Sequence, residues 1–80
     1  MDIRNSLNEI FREVFRDPTI EIYPEMTAND VRGWDSLNHI TLIYAIEKKF
    51  CVSFTIQEVA VLKNVGDLLG LLKAKLPNAL

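Results

Sequence analysis

The chain has 80 residues, of which 49% are hydrophobic and 25% are charged, and its formal net charge is −2. This length predicts a single domain, residues 1–80 with an ordered core at about 3–76. It excludes a deep enclosed active site, because so short a chain buries only about 60% of its unfolded surface. The sequence has no basic stripe with interleaved aromatic residues, so nucleic acid is excluded as an expected partner.

Cellular location is constrained by three further features. Cys51 is the only cysteine, which excludes an intramolecular disulfide and a cysteine cluster for a metal, and its neighbours Phe50 and Val52 predict a buried hydrophobic role for it. The N-terminal sequence lacks the apolar stretch of a signal peptide. No window approaches the roughly 18 apolar residues of a membrane span. We therefore expect a cytoplasmic protein without stable membrane insertion.

Helical spacing of apolar residues predicts a first helix at about residues 3–16, with Asp2 at its start and Pro18 just past its end. Residues 17–34 have no sustained period and predict a long loop, which in so small a domain is often functional. Thr27 and Asp30 have the spacing of a capping box and predict one short turn within this loop. Five apolar side chains are expected to hold the loop on the core: Ile20, Ile22, Tyr23, Met26 and Val31.

A second helix is predicted from about Ser36 to Phe50, and it is apolar on two faces. One face is expected to point to the core and contains Leu42, Ile43, Ile46 and Phe50. The other face is expected to be available to a partner and contains Leu37, Ile40, Tyr44 and Lys48.

Two shorter helices follow. Thr55 and Glu58 form a capping-box pattern before a short third helix, and Asn64 opens a fourth, leucine-rich helix that Pro77 ends. Gly66 and Gly70 in this last helix are expected to allow close approach of a neighbouring helix. The pattern as a whole predicts an all-α four-helix bundle with a long first connection.

Ser36 lies in the stretch Gly-Trp-Asp-Ser-Leu, residues 33–37, and three roles are open to it. Asp35 or Ser36 would cap the second helix whatever the function. A hydrolase nucleophile would need the pattern G-x-S-x-G, but Asn38 stands where the second glycine belongs, and no acid is placed to orient His39. The third role is that of an attachment point for a group that the chain does not encode.

Gly-Trp-Asp-Ser-Leu followed by an apolar-rich helix resembles the 4′-phosphopantetheine attachment site of acyl carrier proteins and related carrier domains. The resemblance covers nearly the whole chain: a helix, a long loop, Asp-Ser-Leu, a helix ending at a phenylalanine, a short helix and a last helix. It implies a bundle of the acyl-carrier type in which Ser36 receives the arm from coenzyme A through a separate Mg-dependent phosphopantetheinyl transferase. The protein would then be a non-catalytic, monomeric carrier of acyl thioesters.

Further roles follow from this resemblance. Asp35 would cap the helix and offer a carboxylate to the modifying enzyme. Trp34 is expected to anchor the loop, and His39 to form a hydrogen bond facing the loop. The partner-docking residues would be Asp35, Leu37, Ile40, Thr41, Tyr44 and Lys48. An acyl pocket between helices would be formed by Leu42, Ile46, Phe50, Val59, Leu62, Leu68 and Leu71.

A typical fatty-acid-synthesis carrier is strongly acidic and has many Asp and Glu residues along the helix after Asp-Ser-Leu. The matching helix here has instead Asn38, His39, Thr41, Glu47, Lys48 and Lys49. Residues 17–47 have six carboxylates against one arginine, a net of −5, whereas residues 48–80 have a net of +3. The partners are expected to be acyl-loading, synthase or transferase enzymes of a fatty-acid, polyketide or specialised acyl pathway. Two alternatives stay open: a peptidyl or aminoacyl carrier, and an unmodified helical adaptor.

Overall fold

A computed structural model describes residues 3–76, which form four helices and no strand. The helices are α1 (Ile3–Val14), α2 (Ser36–Phe50), α3 (Ile56–Ala60) and α4 (Val65–Lys75), and a 3₁₀ turn, Ala28–Asp30, lies within the long loop between α1 and α2. The all-α, four-helix prediction is therefore confirmed. The predicted cap at Asp2 and the predicted stop at Pro77 lie outside the described residues.

Helix α1 ends two residues earlier than its apolar spacing predicted. Arg16 adopts a left-handed conformation, with φ at 54°, just after the helix. The Arg16 and Asp17 amides then donate to the carbonyl oxygens of Glu13 (3.4 Å) and Arg12 (3.0 Å). This is the Schellman pattern, which satisfies the last carbonyl groups of a helix and turns the chain away from its axis. The long loop begins from this turn.

The core lies where α1, α2 and α4 meet. The largest side chains with essentially no exposure are Leu7, Phe11, Leu42, Ile46, Val65 and Leu72. Burial of each such side chain contributes about 1.5–3 kcal/mol relative to its exposed state. Among residues 3–76 no polar or charged residue is buried, so hydrophobic packing rather than a buried polar network holds these helices together.

The long loop is bound to α1 by polar side chains as well as apolar ones. Arg12 Nε and Asn8 Nδ2 both donate to the carbonyl oxygen of Ile20, at 2.8 and 3.3 Å, and Arg4 donates to that of Ile22 at 3.0 Å. Four of the five predicted anchors are buried: Ile20, Ile22, Met26 and Val31. The prediction for Tyr23 is wrong, since its side chain is 41% exposed. Tyr23 contributes to the loop through its backbone, because its carbonyl oxygen accepts a hydrogen bond from the Met26 amide.

The loop is also bound to the first turn of α4. The Val65 amide donates to the Met26 carbonyl at 2.9 Å, and the Gly66 amide donates to the Pro24 carbonyl at 2.8 Å. A Cβ at position 66 would lie 3.0 Å from the Pro24 oxygen, whereas a Cβ at position 70 would meet nothing within 4 Å. Gly66 therefore allows close approach of the loop rather than of a helix. No other segment of residues 3–76 approaches Gly70 closely, so its lack of a side chain is not needed for packing.

The prediction that Cys51 is buried is wrong. Cys51 is exposed and caps the C-terminus of α2 in a left-handed conformation, with φ at 55°. The chain reverses direction at this residue, so its side chain is turned to solvent. The half-buried Val52 and Phe54 pack against the core instead.

Candidate functional site

Ser36 is the first residue of α2, and it is exposed. Asp35, immediately before it, has an extended backbone, and its carboxylate accepts a hydrogen bond from the Asn38 amide at 2.9 Å. Of the two candidate caps, Asp35 therefore occupies the capping position. The Ser36 hydroxyl is not used in capping and remains accessible at the helix N-terminus.

The segment before Ser36 is held in a tight turn. Gly33 has a φ of 88°, a conformation that side-chain-bearing residues rarely adopt. Its carbonyl oxygen accepts hydrogen bonds from the Asp35 amide at 2.9 Å and from Asn38 Nδ2 at 2.6 Å. Asn38, which stands where a hydrolase pattern would have its second glycine, thus has a structural function here.

Trp34 fixes this turn to the rest of the molecule. Its ring packs edge-on against Phe11, with ring centroids 5.3 Å apart, and lies 5.7 Å from Phe15. Its Nε1 donates to His39 Nδ1 at 2.9 Å. The predictions of a loop anchor at Trp34 and of a loop-facing hydrogen bond at His39 are both confirmed.

The local electrostatics at Ser36 are set by the N-terminus of α2 and by His39 one turn away. The N-terminus of a helix has a partial positive charge that stabilises a phosphate group. His39, the only histidine of the chain, uses Nδ1 to accept from Trp34, and burial lowers the pKa of its imidazole. Within residues 3–76 there is also no cluster of three or more His, Cys, Asp or Glu residues that could hold a metal ion.

The residues predicted to dock partners share one exposed surface of α2. Leu37, Ile40 and Tyr44 are 72%, 67% and 60% exposed, which is unusual for large apolar side chains at three successive turns. Lys48 Nζ lies 5.6 Å from the centre of the Tyr44 ring, within the range of a cation–π interaction. Asp35 and Thr41 are exposed as well.

An open apolar groove of about 540 Å³ separates α2 from α3 and begins one turn after Ser36. We call it the α2–α3 groove. Its walls are formed by His39, Ile40, Ile43, Tyr44, Glu47, Phe54, Thr55, Ile56, Val59 and Ala60. Ile56 is 85% exposed, so its apolar side chain is available to whatever enters the groove.

The seven residues predicted to form an acyl pocket occupy different settings, although Leu62 packs against the core that contains four of them. Val59 lines the α2–α3 groove, whereas Leu62 and Leu71 line a second surface groove beside α3 and α4. The other four are buried in the core: Leu42, Ile46, Phe50 and Leu68. The sequence analysis missed Phe54 and Ile56, although two apolar residues flanking the capping Thr55 were a signal that could have identified them.

Comparison with known proteins agrees with this geometry. No protein-family model matches the sequence. The chain is 39% identical over 66 residues to an acyl carrier protein of Acidothermus cellulolyticus, an alignment that covers 82% of this chain and 79% of the relative.

Two solved structures share the fold. The solution NMR structure of the holo acyl carrier protein from Geobacter metallireducens has a TM-score of 0.88 and 43% identity, covering 95% of this chain and 87% of that one. A putative acyl carrier protein from Mycobacterium tuberculosis has a TM-score of 0.82. At 22% identity, over 91% of this chain and 97% of that one, it shows the fold alone.

The bundle of four helices, with an exposed serine at the start of the second, has the fold of carrier proteins. The chain belongs to the acyl carrier protein family. Members of this family are generally non-catalytic, normally carry phosphopantetheine and work with partner enzymes. Within residues 3–76 no helix is long and apolar enough to cross a membrane.

Proposed function

We propose that this protein carries acyl intermediates as thioesters on a 4′-phosphopantetheine arm attached to Ser36. The observation that carries the proposal is that Asp35 caps α2 and leaves the adjacent Ser36 hydroxyl accessible. The arm supplies the thiol that forms the thioester, and this chain supplies the attachment oxygen and a helix N-terminus suited to the phosphate ester. A phosphopantetheinyl transferase is the enzyme that would add the arm from coenzyme A.

Intact-protein mass spectrometry tests the attachment. Incubation with coenzyme A and a broad-specificity phosphopantetheinyl transferase should add one phosphopantetheine to the wild type and none to Ser36→Ala. Ser53→Ala, which removes another exposed serine, is the matched control and should be modified like the wild type. Helical content should be unchanged in both variants, because the Asp35 cap is intact. Addition to Ser36→Ala would show that the arm is attached elsewhere.

The exposed surface of α2 supports a proposal about partners. Opposite potentials on two surfaces speed their encounter, and like charges suppress wrong partners. The acidic Asp35 lies beside Ser36, whereas the last turn of α2 presents Lys48 and Lys49. We therefore propose normal recognition by the transferase and poor recognition by fatty-acid elongation enzymes with a basic docking surface. This charge pattern fits a specialised acyl or polyketide pathway. We further propose that the carrier is monomeric and acts in the cytoplasm.

The α2–α3 groove supports a proposal about the cargo. It begins one turn from Ser36, its walls are largely apolar, and each methylene group removed from water contributes about 0.8 kcal/mol. An acyl chain on the arm would be sheltered by Ile40, Ile56 and Val59 without displacing any core side chain. Loading assays with fatty acyl and aminoacyl groups distinguish this cargo from that of a peptidyl or aminoacyl carrier.

A further inference from the structure

The only tryptophan and the only histidine of the chain are joined by a hydrogen bond beside Ser36. Trp34 lies two residues before Ser36, and His39 lies one helical turn after it. The two rings are nearly parallel, with planes 19° apart and centroids separated by 6.0 Å. On its other side Trp34 packs against Phe11 and Phe15 of α1 and the turn that follows it. The pair therefore links the segment that carries Ser36 to the body of the bundle.

This link requires a neutral imidazole. His39 Nδ1 accepts the hydrogen of Trp34 Nε1, so in the bonded state the ring proton must be on Nε2. Protonation of the ring places a hydrogen on Nδ1 that points at the indole N–H. Two donors then face each other, and the indole N–H, which is a donor only, loses its partner.

Three charged side chains lie near His39, and the two carboxylates among them already accept hydrogen bonds from backbone amides. The Asp35 carboxylate binds the Asn38 amide, and the Glu47 carboxylate, which lines the same groove, accepts from the Phe54 amide at 2.9 Å. From the connection between α3 and α4, Lys63 lines a small cavity that His39 also lines. Burial, rather than any of these charges, lowers the pKa of His39. This direction favours the neutral ring at neutral pH, and the ring becomes charged below the ordinary range of a histidine.

The same residue is joined to the cap of α2 through its backbone. The His39 amide donates to the Asp35 carbonyl at 2.8 Å, and Asp35 directly follows Trp34. We propose that Trp34 and His39 form a positioning pair that fixes the orientation of Ser36 for the modifying enzyme. Protonation of His39 breaks the hydrogen bond of this pair and releases Trp34. Attachment to Ser36 then slows in mild acid. The rate effect rests on the proposed function, whereas the release of Trp34 does not.

The release is measured on the protein alone. Because the chain has one tryptophan, its intrinsic fluorescence reports on Trp34 directly. Between about pH 8 and 5, where histidine is the side chain that titrates, the wild type should show one transition with a midpoint below about 6.5. The amide shift of Asn38, which reports the Asp35 cap, should follow the same midpoint by NMR. His39→Gln, whose carbonyl can accept from the indole but does not titrate, should show neither change.

Two results overturn the release. One is a flat wild-type fluorescence profile over this pH range. The other is the same transition in His39→Gln, which would assign it to a different group. A Trp34 transition without any shift at Asn38 would overturn the link to the cap.

The effect on Ser36 is measured as the ratio of phosphopantetheine transfer rates for wild type and His39→Gln, which cancels the pH dependence of the transferase. Whatever its value at neutral pH, this ratio should fall several-fold as the pH is lowered through the fluorescence midpoint. Trp34→Phe keeps an aromatic ring but has no indole N–H, and its rate should be lowered at every pH. A constant ratio across the midpoint overturns the positioning role. Absence of transfer to the wild type at neutral pH overturns the proposed function instead, and the fluorescence titration then decides whether the pair opens.

Discussion

Gly66 and Gly70 lie one turn apart on α4, yet alanine at these two positions should have opposite effects. Gly70 has open space where a Cβ would lie. Alanine is favoured over glycine in a helix interior by about 1 kcal/mol, so Gly70→Ala should stabilise the protein by nearly that amount. Gly66 instead faces the Pro24 carbonyl that its own amide binds. The helical preference for alanine is therefore opposed there by a steric contact.

The distances give the size of that opposition. A Cβ at position 66 would lie 3.0 Å from the Pro24 oxygen and 3.3 Å from both Pro24 Cβ and Asn64 Oδ1. The nearest atom belongs to the backbone, so the loop itself must move. Overpacking of this kind costs about 1–3 kcal/mol, which outweighs the gain of about 1 kcal/mol in helix propensity. The two variants should thus differ by about 1–3 kcal/mol in unfolding free energy.

Thermal and urea denaturation measure this difference. In a domain of this size a change of 1 kcal/mol corresponds to roughly 4–8 °C in Tm. Gly70→Ala should raise the Tm and Gly66→Ala should leave it unchanged or lower it. In Gly66→Ala, hydrogen exchange of the amide at position 66 should also become faster if the loop moves away. Equal stabilisation by both substitutions would refute the loop contact with α4 that we describe.

Two further predictions concern partners and cargo. Lys48→Glu combined with Lys49→Glu should increase turnover by enzymes with a basic docking surface, chiefly through a higher association rate that falls as salt is added. Lys73→Glu on α4 is the control and should not increase turnover. Equal steady-state rates for the wild type and the double variant at low salt would contradict this prediction. Across a series of acyl chains, the Tm of the loaded protein should rise with chain length because about 0.8 kcal/mol is gained per sheltered methylene. Ile56→Ser should reduce this dependence and Val61→Ser should not, and a Tm independent of chain length would place the cargo outside the groove.

The bounds of α2, α3 and α4 were predictable because local signals mark them. Asp35 before Ser36, the Thr55 capping box and Asn64 each satisfy amide groups that a helix N-terminus leaves unpaired. These interactions involve residues within four positions of each other, so the sequence alone contains them. The place of Ser36 at the start of α2 was predictable for the same reason, whereas its proposed role came from the resemblance to carrier domains.

Features that depend on distant segments were not predictable. The polar residues of α1 have the spacing of a solvated face, but Arg4, Asn8 and Arg12 bind loop carbonyls up to 18 residues away. The apolar neighbours of Cys51 suggested burial, yet the end of α2 turns it to solvent. Periodicity tells which side of a helix is apolar, but it does not tell which segment covers that side. For this reason the predicted pocket residues include four that fill the core rather than line a groove.

Helix α3 differs from its neighbours in how it is held. It has five residues, too few to be stable alone, and none of them is buried. Among its attachments are the Thr55 cap and a half-buried ion pair between Glu58 and Lys75 at 3.0 Å, and a pair this near the surface contributes little to stability. Of the two walls of the α2–α3 groove, one belongs to a core helix and the other can shift at small cost. We expect the width of the groove to vary with the position of α3, which would allow the acyl cargo proposed above to differ in bulk while α1, α2 and α4 stay in place.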